Sequence, residues 1–184
     1  MSRHRVPWLV RTVRQVEGAT PLDPAVGQLN KVAQKLVANP SLRDLLHGRW
    51  LGHAVHPLLT DLPLGLWASA SLLDVVGPET AHSSSQRLIG IGVLAAIPTA
   101  VTGIAEWAVI GRPEQRVGVV HAAANGAALG CYAASYLARR RGHHRAGMIL
   151  GLAGGGAAAV AGYLGGHLAA ARHVGSRHPA FTGR

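Results

Sequence analysis

Residues 88–110 read LIGIGVLAAIPTAVTGIAEWAVI, and the one ionisable side chain in this run is Glu106, near its end. An α-helix rises 1.5 Å per residue, so about 20 such residues cross a hydrocarbon core of roughly 30 Å. Segments 57–77, 117–138 and 146–171 are similarly poor in charge. Only 14% of the chain is charged and 48% is apolar, so a soluble bundle would lack the polar faces to cover itself. The expectation is an all-α fold, an integral membrane four-helix bundle over residues 49–175.

The stretch before the bundle has a different character. Residues 1–18, MSRHRVPWLVRTVRQVEG, hold no apolar core long enough for a cleavable secretory signal. Residues 1–22 read as a basic, flexible N-terminus. From Asp23, an expected N-cap followed by Pro24, the residues Val26, Leu29, Val32, Ala33, Leu36 and Val37 recur at helical spacing. Pro40 ends that helix, and SLRDLLHG over 41–48 makes a second short one. Residues 23–48 thus read as amphipathic helices, suited to the membrane surface or to the ends of the spans. Residues 176–184 form a tail.

The formal net charge is +10, but the arginines flank the spans and do not alternate with exposed aromatics. This points to anionic lipid headgroups and away from nucleic acid. Thirteen Lys and Arg residues fall on the side of the termini and five on the other. The positive-inside rule therefore puts both termini in the cytoplasm of a bacterial cell, with the chain in the inner membrane. The RRRGHHR loop, residues 139–145, opposes that assignment. Cys131 is the lone cysteine, read as a small buried hydrophobe.

Counted from the ends of the spans on the terminal side, Asp61, Glu106, His121 and His167 lie at about 6–8 Å depth. His53 and His56 stand at the same doorway. Ionisable groups within spans are costly unless paired, which makes them functional candidates. Three readings follow. His121 and His167 could be axial ligands of a b-type haem held between facing helices. His53, His56, His121 and His167 could instead hold a transition metal. In either case Asp61, Glu106 and Asn125 would orient the ligands. The third reading is an accessory or structural membrane protein whose polar cluster locks the helices. Asp74, near the far end of the first span, is expected to reach water or Arg87. No nucleophile with a base, phosphate-binding glycine loop or nucleotide fingerprint is present, which points away from an enzyme.

GHAVHPLLTDLPLGLW (52–67), VVHAAAN (119–125) and AGYLGGHLAAARHVGSRHPAF (161–181) together resemble a bacterial four-helix membrane family, domain of unknown function 2231. Its members open on Gly-His-Pro-x-His-Pro and close on a Gly-Gly-rich helix. Here Ala54 stands in place of the usual Pro, and Thr60-Asp61 in place of a frequent Val-His. The chain is similar to the actinobacterial type without a C-terminal Rieske domain. The resemblance implies a membrane module sometimes joined to electron-transfer domains, hence a membrane or electron-transfer partner; self-association is a further expectation.

Overall fold

The computed structural model describes residues 6–175. Among them there are helices and no strand: α1 (Trp8–Glu17), α2 (Asp23–Leu36), α3 (Pro40–Leu46), α4 (Val55–Val76), α5 (His82–Trp107), α6 (Arg112–Arg140) and α7 (His144–Gly166). A π-helical turn, His167–Ala171, continues α7. The tail 176–184 lies outside the described residues.

Helices α4 to α7 are the long apolar ones, each able to cross a membrane by length and composition. Most of their surface is not covered by the chain itself. Leu72, Leu94, Ile97 and Ile149 are each 58–66% exposed, as side chains solvated by lipid would be. The helices overrun the charge-poor segments because ends with polar flanks still complete their backbone hydrogen bonds. Thus α6 begins at Arg112 and ends at Arg140, beyond the expected 117–138.

The inner faces follow a 4-3-4-3 spacing. In α4 it is Pro63, Trp67, Ala70; in α6, Ala128, Tyr132, Ser135, Arg139; in α7, Gly147, Gly151, Gly154, Ala158, Ala161. A repeat averaging 3.5 residues favours the shallow left-handed crossing of antiparallel bundles. α4 packs along α5, and α6 along α7. Between these hairpins Trp67 stacks on Tyr132 at 4.2 Å, over Ala70 and Ile89.

The N-terminal helices dock on one end of the bundle, here the cap end. Residues 8–17, expected to be flexible, are helical: Val13 is buried against Val117, Leu164 and Leu168. Val6, Leu9, Val10, Val13 and Val16 recur at helical spacing among Arg11, Arg14 and Gln15, an amphipathic pattern that the flexible reading overlooks. Val26 and Ala33 of α2 are fully buried and pack with Trp107. Asn30 accepts from Trp107 Nε1 at 2.6 Å and from Gln115 Nε2 at 2.8 Å. Asp23 is not the expected N-cap; its carboxylate takes both arms of Arg116 at 2.9 Å. That guanidinium also donates to Glu17 O at 2.9 Å, joining α1, α2 and α6.

Candidate functional site

The structure brings His56 and His121 together inside the cap end, with ring centroids 6.5 Å apart and planes nearly perpendicular. His56, in the first turn of α4, lays its ring on α5. A Cβ at Gly103 would lie only 2.8 Å from His56 Cε1, so bare backbone is what admits the ring. His56 Nδ1 donates to Thr99 O at 2.9 Å, with Thr102 Oγ1 3.4 Å away. A carbonyl can only accept, so the proton of the neutral ring sits on Nδ1. His121 repeats the device across the other hairpin. Its Nδ1 donates to Ala161 O at 2.9 Å, its Nε2 accepts from Asn125 Nδ2 at 3.0 Å, and its ring edge faces Gly165.

Glu106 is buried one turn beyond Gly103, and a Cβ at Gly175, which turns with φ +80°, would lie 3.5 Å from its Oε2. Gly175 O in turn accepts from Ala54 N at 3.1 Å, tying the chain after α7 to the start of α4. Among the described residues the Glu106 carboxylate makes no hydrogen bond. His47, just after α3, reaches the neighbouring carbonyl, Ala105 O, at 2.9 Å.

Three expected members lie elsewhere. Asp61 is exposed and has no polar partner among the described residues. It follows His56 by five residues, about 140° around the helix axis, so the turn that buries His56 sends Asp61 outward. His53 is exposed and bonds the adjacent Ala54 O at 3.0 Å. His167 sits at the cap end but faces α1, with Nε2 2.9 Å from Glu17 Oε1. The same carboxylate accepts from Arg172 Nε at 2.7 Å. That Arg172 hydrogen bond, helped by His167, holds the Glu17 carboxyl below the usual carboxylate value of 4.5. The π turn makes this clamp: its wider winding, with Arg172 N on His167 O at 3.1 Å, brings residues five apart onto one partner.

A second polar cluster, missed in sequence, lies at the far end. Arg139 and Asp74 form a two-armed ion pair whose side chains are 1% and 4% exposed. Arg139 Nη1 lies 2.8 Å from Asp74 Oδ1 and 3.2 Å from Ser85 Oγ, while Nε donates to Ser135 Oγ at 3.2 Å. Asp74 therefore reaches neither water nor Arg87. The signal was its phase: Asp74 continues the stripe Trp67-Ala70, as Arg139 continues Tyr132-Ser135.

These geometries decide what the residues can hold. An axial haem ligand presents a bare ring nitrogen to iron. His121 has none, since Nδ1 carries the proton and Nε2 is taken by Asn125, and His167 Nε2 lies on Glu17. The two rings also face different neighbours, so a b-type haem between them does not fit. Among the described residues no three His, Cys, Asp or Glu side chains converge where they could share a metal ion. The expected set His53, His56, His121 and His167 is thus divided among three places.

A family model described as "Predicted membrane protein (DUF2231)" matches residues 52–178, more than half of the chain. No curated protein and no solved structure matches.

Proposed function

The chain belongs to the DUF2231 family of predicted membrane proteins, and on that footing we propose that it is an accessory, structural membrane protein whose buried polar side chains fasten one helix to the next. The carrying observation is that His56 and His121 each turn Nδ1 onto a backbone carbonyl of the paired helix, at 2.9 Å in both cases. The Nδ1 proton of each ring is spent on the scaffold, and in His121 Asn125 takes Nε2 as well. Ser135 Oγ on Gly147 O at 2.6 Å and Ser85 Oγ on Ala70 O at 3.2 Å repeat the pattern at the far end.

Interhelical hydrogen bonds in membranes contribute about 0.6–2 kcal/mol each. His121→Phe keeps a ring and removes both contacts, so it should lower the unfolding free energy in mixed detergent–SDS micelles by about 1 kcal/mol. Unchanged stability in that variant would sink the fastening role.

The membrane in this reading is the bacterial inner membrane, with the cap in the cytoplasm. Among the described residues the cap end carries nine of the fourteen Lys and Arg, and the ion pair with Asp74 removes Arg139 from the charges opposing that orientation. In a Cys131→Ser background, Glu79→Cys should react with a membrane-impermeant maleimide on intact spheroplasts, and Lys31→Cys only after permeabilisation. The reverse pattern would invert the topology.

A further inference from the structure

Between α1 and the last turn of α7 lies a cavity of about 270 Å³ lined by Val10, Arg14, Glu17, His167, Ala171 and Arg172. Its charges do not cancel. Glu17 is occupied: Arg172 Nε and Nη2 and His167 Nε2 all lie on its carboxylate. Arg172 Nη1 and the whole Arg14 guanidinium make no hydrogen bond among the described residues. The lining thus holds two guanidiniums and one carboxylate, with Glu114 acting on Arg172 from outside it, and it keeps cationic donors to spare. Guanidinium groups match the paired oxygens of a phosphate.

The position narrows the anion. His167–Ala171 closes the last candidate span, so the cavity sits where an acyl region meets headgroups. Its wall is partly apolar through Val10 and Ala171. On other faces of the same helix, outside the cavity lining, Trp8 is 66% exposed and Leu9 is also uncovered. Tryptophan and arginine at such a level are the usual anchors of a membrane interface. A soluble anion would use the guanidiniums and leave this apolar border idle.

We infer that this cavity binds the phosphodiester headgroup of an anionic phospholipid, with Arg14 and the Nη1 edge of Arg172 as donors and Val10 and Ala171 beside the departing acyl chains. The bound lipid bridges α1 and α7, fixing the cap to the membrane surface through one headgroup. Glu17 keeps its place as the internal partner that orients Arg172.

The test is native mass spectrometry of the full chain in neutral detergent, titrated with phosphatidylglycerol, phosphatidylcholine or inorganic phosphate. Phosphatidylglycerol should bind in preference to phosphatidylcholine. Arg14→Gln should weaken it about fivefold, as expected for one guanidinium near a headgroup, with helicity unchanged by circular dichroism. Arg11→Gln, on the same helix but outside the cavity lining, should bind as the parent does. Equal weakening in both variants would reduce the effect to general surface charge and overturn the site. So would equal binding of both lipids, or displacement of phosphatidylglycerol by millimolar inorganic phosphate, which would mark a free-anion site.

Discussion

Asp74→Asn or Arg139→Gln should each destabilise the bundle by about 3–5 kcal/mol, the largest loss expected from any conservative substitution in the chain. The pair is almost fully enclosed, at 1% and 4% side-chain exposure. Removing one charge leaves the other buried with only Ser85 and Ser135 for company, and desolvation then has no ionic compensation. The double variant Asp74→Leu with Arg139→Met should recover most of the loss, since an apolar pair of similar volume removes both charges together. SDS-driven unfolding of the three variants measures this. Single variants within 1 kcal/mol of the parent would mean that water or lipid headgroups reach the pair.

Trp67→Ala is the second large effect, a loss of about 3 kcal/mol. The indole stacks on Tyr132 at 4.2 Å with planes 12° apart, and Nε1 donates to Ile89 O at 3.4 Å. It joins the α4–α5 and α6–α7 hairpins within one apolar cluster. The magnitude belongs at the low end of the range for large aromatic truncations, because side chains leaving a membrane bundle pass into lipid and not water. What is lost is packing and stacking, not transfer from water. Gly92→Ala should act in the same direction, about 1–3 kcal/mol, because a Cβ there would strike Trp67 Nε1. Both variants are read in the same unfolding titration. A Trp67→Ala protein as stable as the parent would mean that the Trp67–Tyr132 stack does not hold the two hairpins together.

Long charge-free runs such as 88–110 made the four spans legible, because in a helix of that length burial needs no periodicity to be recognised. The paired rings of His56 and His121 were legible as to depth but not as to direction. Asp61 shows why: depth counts residues along the axis, whereas meeting a partner also needs the right rotation, and five residues after His56 the rotation is wrong. The same reasoning applied to Asp74 and Arg139 would have found the far-end ion pair, since both extend inner stripes by four residues. Helix α1 was legible in the recurrence of Leu9, Val13 and Val16, but its docking through Val13 and Glu17 onto α6 and α7 is a long-range event with no local signature. The partner of His167 was hidden with it. Small residues occupy several faces of α7, and the face that packs is Gly147-Gly151-Gly154-Ala158-Ala161, while Ala159 and Gly162 are exposed. A 3.5-residue seam and a four-residue glycine strip differ by a rotation that composition alone does not fix.

The central claim is that His56 and His121 serve the fold by bonding the helix each is paired with. The direct measurement is the visible spectrum of the detergent-purified full chain before and after dithionite, with elemental analysis of the same sample. The expected result is no Soret band, no sharp reduced bands and less than one-tenth of an equivalent of iron, copper or zinc, in the parent and in His121→Ala alike. A stoichiometric haem spectrum or one metal ion per chain, lost on replacing His121, would contradict it.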